Sequence, residues 1–561
     1  MFETTAERIV ITGVCTLLVL LTAAHCLSAS VCAQTAGTAQ TKRANEQKDN
    51  NRRAQVVQLL AQGRLEEAES AARAEVAAEP RSSESHALLG VVLSHRGQQA
   101  EAERELRTAI RFDPKSIRAL TDLGVLLSNT NRPSEATKAF EEVLRIQPNH
   151  TAAAYNLAVL YVAVKDYAHA IPLLERTVAN SGGERNSETA LLITLADAYA
   201  HDGKAKDAIR IADTITLRAG KEPKVLFTLG LSLADAGVYE TAADLFARTN
   251  ELRPNTYEIL YNLGLALTNL NRLDEAQSAL RAAASLKPDE PDVFYRLGVI
   301  ASAKGESENA LGLWQRVIKL KEHYPEAYFA IAEELVKNRR NERAVPFYEK
   351  AVLQDSGNIL YRVHLGISLV RTGHYSEARS AFADAVKLSP TDGALYYLLG
   401  YAARAEGQFD LAKTAFERSL ELQPDNPVTL ANLGFLALER ADEKEAETFL
   451  RRALDLDREN YPAIYDLGRL LIRTRRYEEA LTILKRGAEI SPEDPGVHYQ
   501  LFLIYSRAKE KSDADRELAL FKKLDEARKA NQGGMTGNTS NEPPAVPDSL
   551  RPSQTLKKDK P

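Results

Sequence analysis

Cysteine is scarce in this sequence of 561 residues, which contains three, Cys15, Cys26 and Cys32, all before residue 34. The residues that follow can therefore hold neither a disulfide nor a thiolate metal site, an absence that is compatible with an oxidising compartment. The ten histidines are scattered, and none forms an HExxH motif or another group with metal-ligand spacing. These absences speak against zinc proteins and disulfide scaffolds, and we expect no metal and no cofactor.

A strong charge of one sign is also missing, because the formal net charge is −5 over the whole chain. Such a mild excess gives no electrostatic reason to expect a nucleic-acid partner. No glycine-rich phosphate loop and no G-x-S-x-G nucleophile motif occurs. Paired acidic residues such as Glu141 and Glu142 mostly lie beside basic residues at helical spacing, which is typical of solvated helix faces. The sequence therefore predicts a protein that is not an enzyme.

One long apolar run occurs, Ile9–Ala24, and it lies close to the start of the chain. Arg8 precedes this run, and the small residues around Cys32 and Ala33 precede Gln34 in the manner of a signal-peptidase site. The run is shorter than the roughly 20 residues of a membrane-spanning helix. We therefore expect residues 1–33 to be a cleaved signal peptide and the protein to be periplasmic or secreted. An uncleaved signal anchor, with a membrane-anchored protein, is the alternative.

The remainder of the sequence repeats itself every 34 residues. A small residue, called the anchor below, recurs as Gly90, Gly124, Ala158, Gly230, Gly264, Gly298, Ala332, Gly366, Gly400, Gly434 and Gly468. An alanine lies twelve residues after the anchor position in all fourteen repeats, from Ala68 to Ala514, and fixes the register. A proline twenty-four residues after the anchor occurs in eight repeats, and a glycine seven residues after it occurs in seven.

These positions predict two short antiparallel helices per repeat that cross closely at the anchor and the alanine. Proline lacks an N–H and disfavours a helical residue before it, so that it ends the second helix. The glycine supplies a left-handed cap to the first helix. In this pattern the chain resembles a tetratricopeptide-repeat (TPR) protein over residues 49–528. The resemblance implies an all-α fold, a right-handed α-α superhelix of about fourteen helix-turn-helix repeats.

The expected organisation follows from the register and from changes in composition. Residues 34–48 are a polar, flexible spacer, and residues 49–184 hold repeats 1–4. The step between repeats lengthens from 34 to 38 residues at Asn180–Ser187, so that residues 185–188 are an insertion, either a hinge or a passive surface loop. Residues 189–528 hold repeats 5–14 with a C-terminal end helix, and residues 529–561 are a disordered tail.

Helical spacing places the residues three before, one after and five after the anchor on one stripe of the first helix. In TPR proteins this stripe lines a concave groove, which implies an apolar and aromatic groove whose rim becomes basic in the C-terminal third. The predicted partner-binding residues are Tyr155, Phe227, Tyr261, Asn262, Tyr295, Phe329, Arg371, Tyr397, Tyr401, Arg404, Phe435 and Arg473. The alternative for any one tyrosine is that it only packs between neighbouring first helices.

Some TPR proteins hold a C-terminal carboxylate in a clamp of lysines, asparagines and an arginine. Asn262 and Arg296 occupy two of its places here, but Phe227, Leu231 and Asp292 occupy others, so a dicarboxylate clamp is not predicted. We expect instead a non-catalytic scaffold that binds protein or peptide segments in its groove and assembles a complex. Two alternatives stay open, a membrane-anchored assembly factor of an envelope or secretion apparatus and a non-catalytic subunit of an enzyme complex.

Overall fold

The structure is a computed structural model, and it describes residues 51–532. Within this range the regular secondary structure consists of 28 α-helices, without a strand. This confirms the predicted all-α superhelix of about fourteen repeats. The predicted signal peptide, spacer and most of the tail lie outside the described residues.

The described residues divide between Pro254 and Asn255 into two compact parts, here called the N-terminal body and the C-terminal body. The N-terminal body comprises six helix pairs: α1 (51–61), α2 (Leu65–Ala78), α3 (Ser83–His95), α4 (Gln99–Phe112), α5 (Ile117–Asn129), α6 (Pro133–Ile146), α7 (Thr151–Ala163), α8 (Tyr167–Asn180), α9 (Thr189–His201), α10 (Ala205–Ala219), α11 (Pro223–Asp235) and α12 (Tyr239–Leu252). In each pair the odd-numbered helix is the first helix of a repeat.

The C-terminal body comprises eight helix pairs: α13 (Tyr257–Asn269), α14 (Leu273–Leu286), α15 (Pro291–Ala303), α16 (Ser307–Leu320), α17 (Pro325–Lys337), α18 (Asn341–Gln354), α19 (Ile359–Arg371), α20 (Tyr375–Leu388), α21 (Gly393–Glu406), α22 (Phe409–Leu422), α23 (Pro427–Glu439), α24 (Glu443–Leu456), α25 (Tyr461–Arg473), α26 (Tyr477–Ile490), α27 (Pro495–Ala508) and α28 (Lys511–Gln532).

The glycine anchors mark the place where the two helices of a repeat approach most closely. A Cβ atom added at Gly400 would lie 2.7 Å from the ring of Phe416, sixteen residues later on the second helix. The same relation joins all nine glycine anchors to a bulky residue, Leu106, Phe140, Phe246, Leu280, Trp314, Phe382, Phe416, Leu450 or Leu484. The anchor is thus small because a large side chain of the second helix fills the space that its own side chain would need.

The turn between the helices of each repeat uses a left-handed residue seven positions after the anchor. Gly407 has φ +86°, and the next N–H, that of Gln408, donates to the carbonyl of Ala403 at 2.8 Å. All fourteen repeats have positive φ at this position, including the seven without glycine, which carry Asn131, Lys165, Asn271, Arg339, Ala441, Arg475 and Lys509. The predicted glycine cap is therefore a property of the turn, which also accepts residues with a side chain.

Proline is not needed to end the second helix. The helix α22 ends at Leu422, two residues before Pro424, whereas α24 ends at the equivalent Leu456 although Arg458 stands where the proline would be. In both helices the N–H of the C-cap residue donates to a carbonyl of the last turn. The turn that leads to the next repeat therefore recurs with or without proline.

The insertion between repeats 4 and 5 forms a loop that is bonded to α10. The Arg218 guanidinium donates to the carbonyls of Glu184, at 2.9 Å, and Ser187, at 2.8 Å. The Ser187 hydroxyl is buried and donates to the carbonyl of Gly183 at 3.0 Å. These bonds describe how the loop is held, and the hinge stays a prediction.

Overpacking of the helix crossing tests the register. Ala412, on α22, is fully buried, so an Ala412→Leu substitution should lower the free energy of unfolding by roughly 1–3 kcal/mol. Thr414→Leu, on the exposed side of the same helix, is the matched control and should change it little. Amide hydrogen exchange should show the loss concentrated in α21–α24, because repeats couple to their neighbours. Uniform loss of protection across all repeats would contradict this description.

The left-handed turn predicts a reciprocal pair of substitutions. Ala441 has φ +59°, a conformation that costs an L-residue about 1–2 kcal/mol, so Ala441→Gly should stabilise the protein by about 0.5–1 kcal/mol. Gly407→Ala, at the equivalent position one repeat earlier, should destabilise it by a similar amount. Urea unfolding of both variants checks the signs, and two changes of the same sign would show that the turn conformation is not the cause.

Candidate functional site

Successive first helices contact one another through a small set of positions, here called the first-helix face. These positions lie three and two residues before the anchor and one, four and five residues after it. In the N-terminal body, the hydroxyl of Tyr155 lies 3.4 Å from Thr194 Oγ1 on the next first helix, and His201 Nε2 lies 3.1 Å from Asp235 Oδ2. The predicted stripe therefore lies along the line where the first helices meet.

The N-terminal body holds two of the predicted binding residues. Tyr155 is half-buried on α7, and its hydroxyl is used in the contact with Thr194. Phe227, on α11, packs with its ring centroid 5.7 Å from that of Phe246 on α12. Both rings keep part of their surface exposed, and both also stabilise the packing of the repeats.

In the C-terminal body, Tyr261, Asn262 and Tyr295 begin the aromatic row. Tyr261 stacks on Tyr257 of the same helix at 5.5 Å, and burial, opposed by the nearby Arg296, raises the pKa of its hydroxyl. The Asn262 amide donates to the carbonyl of Glu258 at 2.7 Å, within its own helix. Tyr295 is half-buried, and its backbone carbonyl accepts a hydrogen bond of 3.2 Å from Nε1 of Trp314, the one tryptophan of the chain.

Phe329 lies in an aromatic cluster on α17, α18 and α19. Its ring centroid is 4.8 Å from that of Tyr361, 5.0 Å from that of His364 and 5.7 Å from that of Tyr348. Glu333 accepts hydrogen bonds from the Tyr348 hydroxyl and from His364 Nδ1, the latter at 2.5 Å. The cluster joins repeats 9 and 10, and Phe329 remains partly exposed within it.

Glu333 is kept ionised by its hydrogen bonds. Burial disfavours its charge, but the bonds from His364 and Tyr348 and the charge of Arg371 outweigh burial and lower its pKa. Arg371 itself is exposed at the end of α19. The carboxylate and the guanidinium thus place opposite charges near each other on this part of the face.

Tyr397, Tyr401, Arg404 and Phe435 form one continuous group. The centroids of Tyr397 and Tyr401 are 6.5 Å apart, and Tyr397 also interacts with Asn432 of the next first helix. The Arg404 guanidinium lies over two rings, 5.2 Å from the centroid of Tyr401 and 5.0 Å from that of Phe435. Stacking of this kind holds the guanidinium in place by cation–π attraction.

The face also brings together charged residues that are not among the predicted binding residues. Asp466 is buried, with 7% of its surface exposed, and Arg469 Nη1 donates to Asp466 Oδ1 at 3.1 Å. Burial raises the pKa of Asp466 to about 6, although the charges of Arg469 and Arg404 oppose this shift. The last predicted binding residue, Arg473, is exposed and pairs with Glu443 at 3.0 Å.

The missed residues occupy one register position, two before the anchor. Arg296, His364, Asn432 and Asp466 all lie there, each near an aromatic residue or a charge of a neighbouring first helix. The signal was present in the sequence as a polar residue that recurs at 34-residue spacing. Asn262 was predicted at this position, but the position as a whole was left out because the stripe had been defined by three other positions.

Residues 51–532 contain neither a metal-ligating cluster nor a membrane-spanning helix. No cluster of three or more His, Cys, Asp or Glu side chains in this range could hold a metal ion. None of the helices described is both long and apolar enough to cross a membrane.

Profiles of one repeat family match most of the described residues. Tetratricopeptide-repeat profiles match residues 53–117, 129–185, 227–291, 325–358, 364–427 and 437–501, which together cover more than half of the chain. The comparison with curated proteins finds no match.

Several solved structures are similar to this chain. Yeast Tom70 is 18% identical with a TM-score of 0.32, over 73% of this chain and 92% of Tom70. The C-terminal part of a TPR repeat-containing protein from Cytophaga hutchinsonii is 20% identical with a TM-score of 0.39, over 43% and 99%. YrrB, a TPR protein with an unusual peptide-binding site, is 20% identical with a TM-score of 0.30, over 36% and 99%. Likenesses this distant carry no argument about function.

The buried carboxyl of Asp466 predicts a pH-dependent stability. Because its pKa rises from 3.8 to about 6 on folding, its contribution to stability is full below pH 3.8 and is lost as the pH rises through 6. Asp466→Asn removes this loss, so the variant should exceed the wild type by about 1–3 kcal/mol at pH 7.5 and by little at pH 4. Urea unfolding at both pH values measures the difference, with Asp455→Asn, at an exposed position of α24, as the control. A difference that does not vary with pH would refute the assigned cause.

Proposed function

Because the chain belongs to the tetratricopeptide-repeat family, we propose that it is an exported, non-catalytic scaffold that binds protein segments along its first-helix face. The observation that carries this proposal is the row of partly exposed aromatic rings interleaved with arginines on that face of the C-terminal body. Phe329, Tyr397 and Phe435 stand in this row with Arg371 and Arg404. Aromatic residues and arginine are the residues that most often dominate binding energy at protein interfaces.

The contacts that the tyrosines make within the protein leave their rings able to bind a partner. The hydroxyls of Tyr155 and Tyr397 meet polar residues of the next first helix, which fixes the rings without covering them completely. A ring that is already held in one rotamer loses little entropy when a partner packs on it. Packing between repeats and partner binding are therefore compatible roles for one side chain.

The charges of the C-terminal body support a preference for acidic segments. On the first-helix face from α19 to α27, the charged residues are Arg371, Arg404, Glu439, Asp466, Arg469, Arg473 and Arg507, which leaves an excess of arginine. The pair of Arg473 and Glu443 is partly exposed on both sides, and such surface pairs hold their partners weakly. A carboxylate of a bound segment can compete for such an arginine.

Export is supported by the sequence of residues 1–33, with its apolar run and small residues before Gln34. An intact N-terminus in the mature protein would instead favour the membrane-anchored assembly factor. Stable co-purification with a catalytic protein would favour the non-catalytic subunit of an enzyme complex. Both alternatives keep the same binding face, because neither changes the residues of the repeats.

Charge reversal on the face tests the proposal. The triple variant Arg371→Glu, Arg404→Glu and Arg473→Glu should lose its partner, because it places negative charge where an acidic segment docks. Affinity purification of the tagged full-length chain from its native host, with mass spectrometry of the bound proteins, measures this loss. The matched control reverses Arg343, Arg418 and Arg458, which are exposed residues outside the first helices of the same body, and should retain the partner.

Once a partner has been purified, the tryptophan allows a direct measurement. Trp314 lies next to the Tyr295 carbonyl, so that binding over α15 should change its fluorescence.

If the triple variant and the control retain the same proteins with the same affinity, the first-helix face is not the binding surface.

A further inference from the structure

Asp466 lies where a carboxylate of a bound segment would be expected. It is buried on α25, and Arg469 Nη1 donates to it at 3.1 Å. The charge of Arg404, on α21, also acts on this carboxylate, and the Arg404 guanidinium lies over the rings of Tyr401 and Phe435. An acidic side chain of a partner would find the same two arginines on this face.

We propose that Asp466 is a built-in competitor for the carboxylates of an acidic partner segment, which take over Arg404 and Arg469 when the segment binds. The inference rests on the proposed function, because it assumes that the first-helix face is the binding surface. It adds to that function the chemistry of the partner at one place, namely a glutamate or aspartate side chain over α21–α25. It also identifies the group that this side chain displaces.

The charges around the site favour an acidic occupant over a basic one. When Asp466 is neutral, the first-helix face from α19 to α27 carries five arginines, of which Arg469 lies 3.9 Å from Glu439, the other acidic residue of that face. Glu439 is exposed and its distance from Arg469 exceeds that of a hydrogen bond. Loss of the Asp466 charge therefore leaves Arg469 with Glu439 as a distant carboxylate and increases the attraction of the face for other carboxylates.

Protonation of Asp466 would release the two arginines to a partner. Burial raises the pKa of Asp466 to about 6, whereas glutamate and aspartate in a flexible segment titrate near 4. Between pH 4 and pH 6 the competitor is therefore mostly neutral while the partner's carboxylates are still mostly charged. Binding of an acidic segment should strengthen as the pH falls through 6 and weaken again below about 4.

The titratable and charged groups around Asp466 come from several helices. Arg469, Tyr461 and Tyr465 lie on its own helix, and the Tyr461 hydroxyl donates to Asp494, the N-cap residue of α27, at 2.7 Å. Arg404 comes from α21 and Glu439 from α23. Neither histidine nor any other side chain that ordinarily titrates near pH 6 occurs in this set. Burial also raises the pKa of Asp122, in the N-terminal body, to about 6, so the transition is assigned to Asp466 by its loss in Asp466→Asn.

The experiment measures binding of a defined acidic probe to the full-length protein. The probe is a 12-residue peptide of alternating glutamate and leucine that carries tetramethylrhodamine, and a lysine–leucine peptide is its counterpart. Fluorescence anisotropy gives the Kd at pH 5.5, 6.5 and 7.5. The wild type should bind the acidic probe about 25-fold more tightly at pH 5.5 than at pH 7.5, because only the form with neutral Asp466 is competent and this form falls from about three quarters of the protein to about 3%. Asp466→Asn should bind tightly at all three values.

Controls separate this inference from the proposed function. Asp455→Asn, on the exposed side of α24, should behave as the wild type, and Arg469→Met, which keeps the stem of the side chain, should lose the acidic probe at every pH. If Asp466→Asn and the wild type share one pH profile while Arg469→Met abolishes binding, the competitor role is wrong and the binding face stands. If Arg469→Met binds as the wild type does, or neither the wild type nor Asp466→Asn binds at any pH, both proposals fail at this site.

A preference for the basic probe has its own meaning. If the wild type binds the lysine–leucine peptide at pH 7.5 and Asp466→Asn does not, Asp466 contacts a cation of the partner directly. That result would overturn the inference. Asp466→Ser serves as a second neutral variant, and it must reproduce the behaviour of Asp466→Asn for the competitor role to hold.

Discussion

The close approach of two helices at the anchor is the constraint on which the rest of the structure depends. At Gly298, for example, an added Cβ atom would collide with Trp314, and equivalent collisions occur at every glycine anchor. A small residue on one helix and a large one on the other fix both the separation and the register of the pair. Once the register is fixed, the positions before and after the anchor must fall on the side where successive first helices meet.

That constraint explains why so much of the fold was predictable. The anchor, the alanine twelve residues later and the capping glycine are local signals at constant spacing, and each is read without knowledge of long-range contacts. The structure confirms the helix pairs and the left-handed turn, including turns at Arg339 and Arg475, where no glycine indicated one. The large residue sixteen positions after the anchor was not recognised, because leucine, phenylalanine and tryptophan alternate there and no single residue type recurs.

The candidate site was predictable only in outline. The aromatic row follows from helical spacing, and the structure places its members where neighbouring first helices meet. The pairing of Tyr397 with Asn432, or of Glu333 with His364, depends on side-chain contacts between repeats that a single-helix pattern cannot supply. The sign of the local charge is likewise a property of neighbours, since Arg473 is basic in sequence but pairs with Glu443 in space.

The position two residues before the anchor shows how one fold can carry different sites. At Arg296, His364, Asn432 and Asp466 the side chain interacts with residues of a preceding first helix. An asparagine at that position satisfies itself by donating to its own helix, as Asn262 and Asn432 do. An aspartate has no proton to donate in its charged form, and it must either attract an arginine or accept a proton. Asp466 accepts a hydrogen bond from Arg469 while burial raises its pKa to about 6, so one position holds a self-bonded amide in some repeats and a titratable carboxyl in another.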